Sequence, residues 1–149
     1  IGSFEGAKRR LDVHLNSPEV TYIDDYAHHP QELSTAISSI REVFPDRKMT
    51  AVFQPHLYTR TRDFADEFAR ALSAVDQLIL LDIYPAREEP IPGITSRIIL
   101  DKVTAPSKVL IHKDELLAHI GRLQPSLLVT FGAGDIDRLI APITELLTK

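Results

Sequence analysis

Short apolar runs that alternate with segments of helical period constrain the fold of this chain more than any other feature. The runs occupy residues 20–25 (VTYIDD), 48–54 (KMTAVFQ), 77–83 (QLILLDI), 108–112 (KVLIH) and 126–131 (SLLVTF). Each has the length of a strand, and near-continuous apolarity marks strands buried on both faces. Leu33, Ile37, Ile40 and Phe44 fall on one helical face behind Pro30, which suits a first turn because its missing amide donor is harmless there. A second helix is expected from near Arg62, presenting Phe64, Phe68, Leu72 and Val75. A third is expected from about Asp135, presenting Ile136, Leu139, Ile140, Ile143 and Leu147, with Pro142 kinking or splitting it. Residues 11–22, with Asn16-Ser17-Pro18 between two extended pieces, predict a hairpin that adds an antiparallel edge strand.

This alternation predicts one α/β domain: an open, mostly parallel, Rossmann-like sheet with helices on both faces. The two rims of such a sheet differ in chemistry. Helix-to-strand connections read FPDRK, SAVDQ, TAPSK and LQPS, which is generic turn composition. Strand-to-helix connections read DDYAHHP, QPHLYTRTRD, DIYPAREEPIPG and FGAGD, so imidazoles, guanidiniums, carboxylates and glycines gather at the carboxyl ends of the strands. Ligands of open parallel sheets bind beyond those ends, so four loops distant in sequence are expected to line one site.

Composition narrows the function classes. A net charge of −4 with interspersed signs gives no bulk attraction for nucleic acid or an anionic membrane, so any bound anion must be held locally. The absence of cysteine excludes disulfides and thiolate metal sites. With no signal peptide and no apolar run of membrane-spanning length, the cytoplasm is the expected location. The chain opens IGSFEGAKRR without an initiator Met, which suggests a piece of a longer protein.

Asp25, Tyr26, His28 and His29 sit between a strand and a helix N-terminus, whose amides and dipole favour an anion. An Asp there suits ribose hydroxyls and a His suits phosphate or carboxylate; alternatively Asp24 or Asp25 caps the helix and the histidines are solvated. In the next loop, His56, Tyr58, Thr59, Arg60, Thr61 and Arg62 combine a planar guanidinium fork with hydroxyls, a set suited to a carboxylate or phosphate. Asp63 is placed to offset the two arginines internally. His28, His29 and His56 resemble a zinc triad only in number, since no fixed-spacing signature accompanies them, and no metal site is assigned. Phe131-Gly132-Ala133-Gly134-Asp135 departs from a dinucleotide fingerprint at Asp137 and follows the last strand, which points to tight strand-to-helix packing. Lys8-Arg9-Arg10 reads as a solvated basic patch or a phosphate contact, and residues 84–93 as a shaped rim loop of undetermined chemistry.

In order and spacing, FEGAKRRLD, IDDYAHHP, FQPHLYTRTRD, DIYPAREEPIPG and FGAGDI resemble the Mur ligases of bacterial cell-wall synthesis, and among them those that add L-alanine to UDP-N-acetylmuramate. The resemblance covers the carboxy-terminal third of such enzymes, making residues 1–149 the amino-acid-binding domain, with the UDP-binding and central ATP-binding domains absent. It implies an ATP-dependent reaction in which the muramate carboxylate becomes an acyl phosphate that the alanine amine attacks, with Mg²⁺ offsetting phosphate charge. ATP and Mg²⁺ would be held mainly by the central domain. The resemblance further implies nucleotide contacts from Arg10 and Asp25, an amino-acid pocket from Tyr26, His28, His56 and Arg60, and catalytic roles for Arg10 and His28. Arg60 would hold the alanine carboxylate and Tyr26 limit side-chain size.

Two departures stand out: Leu57 where the family often has Arg, and Ala27 in place of a frequent Gly. No GxxxxGK[ST] phosphate loop occurs in the chain, so the piece alone is expected to be inactive. A sister ligase adding another amino acid, and a non-catalytic nucleotide- or anion-binding module, are the alternatives.

Overall fold

The computed structural model describes residues 11–148. Its six strands are β1 (Asp12–Asn16), β2 (Thr21–Asp25), β3 (Met49–Phe53), β4 (Gln77–Leu81), β5 (Ser107–Ile111) and β6 (Leu127–Phe131). They form one sheet in the order β1-β2-β6-β3-β4-β5. Only the edge strand β1 runs antiparallel, as the hairpin reading expects, and its register against β2 shifts between Val13 and Leu15. The other neighbours are parallel.

Strand residues alternate between two cores, as the pleat requires. Ile23, Met49, Ala51, Phe53, Leu78, Leu80, Leu127, Val129 and Phe131 pack with helices α1 (Pro30–Val43), α2 (Tyr58–Leu72) and α3 (Arg97–Leu100). Tyr22, Val52, Ile79, Leu81 and Leu128 point the other way, against α4 (Leu116–Leu123) and α5 (Ile140–Leu147). Helices therefore cover both faces, and burial on both sides explains why these strands read as unbroken apolar runs.

Three local expectations need amendment. Helix α2 starts at Tyr58, before the expected Arg62, and Phe64 inside it has non-helical angles (φ −122, ψ 22). That kink leaves Phe64 38 % exposed against His29, whereas Phe68, Leu72 and Val75 are buried as the period predicts. The last helix is split: a 3-10 turn at Asp135–Leu139 precedes α5, and Pro142 becomes the third residue of α5, in the first turn where proline is tolerated. Helices α3 and α4 are additions to the sequence reading.

The amino-terminal rim has the structural chemistry its composition suggests. From the FPDRK turn, Arg47 donates to Thr21 Oγ1 (2.6 Å), Ser126 O (2.9 Å), Ser17 O (3.2 Å) and Pro18 O (3.0 Å). One guanidinium thus ties β1, β2 and β6 together at the end away from the candidate site.

Candidate functional site

Strands β2, β6, β3 and β4 are consecutive in the sheet, so the loops leaving their carboxyl ends are neighbours despite their separation in sequence. Beyond β2, the Tyr26 and His28 rings meet edge-on at 5.0 Å, and His28 Nδ1 lies 3.0 Å from Tyr26 O. A carbonyl can only accept, so His28 donates from Nδ1 in this bond, and the neutral form of the ring that makes it has Nε2 left as an acceptor. Beyond β3, the His56 ring lies 6.1 Å from that of His28, and Arg60 donates to His56 Nδ1 at 3.3 Å. Because a guanidinium has no lone pair to offer, neutral His56 carries its proton on Nε2. Tyr26, His28, His56 and Arg60 therefore come together, one imidazole offering an acceptor and the other a donor.

The electrostatics at His56 and His29 favour the neutral imidazole. Burial, then the Arg60 charge, then His28 hold the His56 pKa below its ordinary 6.5, with Glu88 pulling the other way. His29 is lowered as well, by burial first and then by Arg60 and His28. Burial pushes the Glu32 carboxyl up, but its Oε1 accepts from the His28 and His29 amides, both at 3.1 Å, and these bonds win and leave it below the usual range. The helix start that the sequence offers to an external anion thus already holds a carboxylate.

Asp25 is buried and serves the fold directly, because its carboxylate oxygens accept from the amides of Ala27 and Leu11, both at 2.8 Å. The alternative reading had Asp24 or Asp25 capping the helix; the N-cap of α1 is His29 instead, and Asp25 braces the turn before it. Asp25 also borders a cleft of about 880 Å³ between α1 and α2, together with His29, Glu32, Phe64, Glu67 and Arg70. Tyr26, His56 and Arg60 lie outside its walls, at the rim beside it. Asp24 faces the opposite side of the sheet, where Thr130 donates to it at 2.6 Å. Arg10, with Lys8 and Arg9, lies outside the described residues.

Sequence reasoning passed over three participants. Gln54, buried where β3 ends, donates to Asp135 (2.7 Å) and accepts from the Ile136 amide (3.1 Å). Tyr84 stacks on His56 with ring centres 5.8 Å apart and an interplanar angle of 14°. Glu88 accepts from the Tyr58 amide (2.6 Å), the Thr59 amide (3.1 Å) and the Thr59 hydroxyl (2.5 Å), so the rim loop 84–93 caps α2. Polar residues in a long rim loop were the available signal, but their partners lie some thirty positions away.

The FGAGD turn packs tightly, as its poor match to a dinucleotide fingerprint suggests. A Cβ on Gly134 would meet Gln54 Oε1 and Tyr84 Cγ at 2.6 Å, and a Cβ on Gly132, which has φ +146, would meet Gln54 O at 3.1 Å. A smaller hollow of about 360 Å³ on the far side of Tyr84 is lined by Gln54, Asp82, His112, Lys113 and Asp135. In it His112 pairs with Asp82 and Lys113 with Asp135. Among the described residues no group of three or more His, Asp or Glu could hold a metal ion. No described helix is long and apolar enough to cross a membrane.

This sheet order, with polar loops converging at one carboxyl rim, defines an open, mostly parallel α/β domain. The chain belongs to the Mur ligase family: the model of the Mur ligase glutamate ligase domain matches residues 9–134. It is 57% identical over 149 residues to the UDP-N-acetylmuramate–L-alanine ligase of Parabacteroides distasonis, covering all of this chain and 32% of that protein. It is 26% identical to the solved UDP-N-acetylmuramate-alanine ligase of Thermotoga maritima (TM-score 0.69), over 92% of this chain and 29% of that one. A solved domain of a putative UDP-N-acetylmuramate:L-alanyl-γ-D-glutamyl-meso-diaminopimelate ligase from Haemophilus ducreyi shares the fold at 21% identity (TM-score 0.68). That likeness covers 93% of this chain and 99% of that one. The chain spans about a third of the length of the curated relatives it matches.

Proposed function

We propose that this chain is the amino-acid-receiving domain of an ATP-dependent ligase that joins L-alanine to UDP-N-acetylmuramate. Identity of 57% along the whole chain to a ligase of that name supports the reading. The observation that carries it at the level of residues is the meeting of Tyr26, His28, His56 and Arg60, contributed by two loops, at the carboxyl rim.

In this reading Arg60 grips the alanine carboxylate through its planar fork. His56 Nε2–H is a second donor for the same group. His28 Nε2, the acceptor left when Nδ1 faces Tyr26 O, takes a proton from the alanine nitrogen as that nitrogen bonds to the activated carboxyl carbon and phosphate departs. Tyr26, 39% exposed beside His28, bounds the space for the amino-acid side chain. Asp25 at the lip of the cleft is the proposed ribose contact, and Arg10 the proposed phosphate contact and catalytic cation, both on family resemblance. On the same resemblance, Mg²⁺ and the triphosphate are held mainly by the central domain of the ligase.

The test uses the full-length polypeptide and amino-acid-dependent phosphate release, screened across amino acids with UDP-N-acetylmuramate and its peptidyl derivatives. L-Alanine with UDP-N-acetylmuramate is expected to give release, and Arg60→Ala to raise the KM for alanine at least about tenfold while that for ATP stays within about twofold. Release with a different amino acid would identify a sister ligase, and an unchanged alanine KM would remove Arg60 from the pocket.

A further inference from the structure

Helix α2 carries Arg60 in its first turn, yet nothing local explains why that turn forms. Its N-cap position is Leu57, which makes no side-chain cap and has φ +76, a left-handed conformation that L residues with a Cβ rarely adopt. Its first turn contains no acid, while Arg60 and Arg62 place positive charge at the positive end of the helix dipole. Arg62 is offset by Asp63, whose carboxylate accepts from it at 2.8 Å. Arg60 has no such neighbour on its own helix, and it leans on His56 instead.

The stabilising groups come from the loop after β4. Tyr84 exchanges backbone hydrogen bonds with the exit of β3, donating to Pro55 O (2.8 Å) and accepting from the Leu57 amide (2.9 Å). The second of these holds the strained Leu57 peptide. Four residues further on, Glu88 takes the first two amides of α2 and the Thr59 hydroxyl. Those donors, the Thr59 hydroxyl foremost, outweigh the cost of desolvation and keep the Glu88 carboxyl below its ordinary range. The loop therefore grips both sides of His56: Tyr84 stacks on its ring, and Glu88 fixes the turn from which Arg60 reaches it.

We propose that Glu88 is a positioning residue of the amino-acid pocket, a carboxylate clamp across loops that fixes the first turn of α2 and so aims Arg60 and His56 at the substrate carboxylate. The inference rests on the alanine-binding reading given above and deepens it. It also gives the rim loop 84–93 a role. Glu88 touches no substrate; by filling the amide end of α2 it leaves anion recognition to the Arg60 side chain.

The experiment measures kcat and KM for alanine and ATP in the full-length ligase carrying Glu88→Ala, Glu88→Gln, Glu89→Ala or Arg60→Ala. Glu88→Ala is expected to raise the alanine KM about 10- to 100-fold with the ATP KM within about twofold. Glu88→Gln keeps an oxygen for the two amides and gains an N–H for the Thr59 hydroxyl, so it is expected to restore most of that loss. Glu89→Ala, an exposed acid next door, is expected to change neither constant. If Arg60→Ala raises the alanine KM and Glu88→Ala does not, the clamp is refuted while the pocket stands. If Arg60→Ala itself leaves the alanine KM unchanged, the pocket reading fails and takes the clamp with it. Equal damage by Glu88→Gln and Glu88→Ala, or an equal rise in the ATP KM, also refutes the clamp. A second measurement follows the His56 imidazole by NMR through a pH titration of the domain carrying Glu88→Gln, where the same spectra report folding. Loss of the nearby carboxylate is expected to lower the His56 midpoint, and an unmoved midpoint would show that Glu88 does not reach this turn in solution.

Discussion

Replacing Gly134 by Ala tests how closely the four rim loops interlock. Gly134 has φ −92, outside the left-handed region, so the substitution adds no strain of that kind and the test is of space. The new Cβ would stand 2.6 Å from Tyr84 Cγ and 2.6 Å from Gln54 Oε1. Carbon atoms rest at about 3.5–4.0 Å, so the neighbours must retreat by roughly 1 Å. Neither retreat is easy. Cγ is the root of the Tyr84 ring, held by stacking on His56 and by the backbone bonds of Tyr84 to Pro55 and Leu57. Gln54 is 4% exposed and its amide oxygen accepts from Ile136.

Overpacking of this kind costs about 1–3 kcal/mol. For a domain of this size each kcal/mol lowers the melting temperature by about 2–4 °C, so Gly134→Ala is expected to melt about 2–12 °C below the parent. Gly121→Ala is the matched control. Gly121 lies in α4 with Leu146 Cδ1 at 3.9 Å as the nearest neighbour of an added Cβ, so the substitution meets ordinary contact and gains helix propensity. A gain of about 0.5–1 kcal/mol raises the melting temperature by about 1–4 °C. Thermal unfolding of this chain, followed by circular dichroism, measures both. A Gly134→Ala melting temperature equal to or above that of the parent would refute the packing argument, because the ring and amide could then yield without loss.

Two further outcomes follow from the same geometry. Arg47→Met removes four donor contacts at the amino-terminal rim but keeps an apolar stem near Phe44, and is expected to cost about 1–3 kcal/mol in urea unfolding. In the full-length ligase it should leave the alanine KM unchanged, because it lies at the rim remote from the pocket; a changed KM would contradict that separation. For pH, a His56 pKa held below 6.5 in the fold means the unfolded chain binds the proton first, so this group's contribution to stability is present above pH 6.5 and lost as pH falls through the folded value. Arg60→Met removes one lowering charge, so the NMR midpoint of His56 should move up toward 6.5 and the acid-side loss should shrink; a midpoint that falls or stays would negate the assignment. His112 has the opposite sign. Its hydrogen bond to Asp82, with the attached charge, raises its pKa, so its contribution is full below 6.5 and disappears as pH rises through the folded value.

The parallel strands were legible to within two residues because burial on both faces leaves a run of apolar side chains that no other element of that length requires. The candidate site at the carboxyl rim was legible as a gathering of polar loops because composition differs so sharply between the two rims. What stayed hidden is what depends on partners far along the chain. The start of α2 at Tyr58 rests on Glu88, and nothing between Pro55 and Arg62 announces it. The kink at Phe64 belongs to the same class: its period places it with Phe68 and Leu72, yet its ring sits beside His29. Helix α4 escaped for a different reason, since Leu116 and Ile120 are the only fully buried members of an eight-residue helix, too short a stripe for periodicity to register.

The helix starts at the carboxyl rim suggest how this domain divides labour between backbone and side chains. Parallel α/β sheets commonly use such starts to hold anionic ligands through amides and dipole. Here internal oxygens stand at four of them: Glu32 on the amides leading into α1, Glu88 at α2, Glu115 on the His112 amide ahead of α4, and Gln54 on Ile136 after β6. Three of the four are carboxylates, so the dipoles that could attract a substrate anion already face a negative charge. In the proposed reading, a ligand carboxylate arriving at this rim meets the Arg60 guanidinium and the His56 Nε2–H rather than backbone amides. Side-chain recognition of this kind is sensitive to position, because a single fork must be aimed correctly, and this is why capping residues remote from the ligand bear on its affinity.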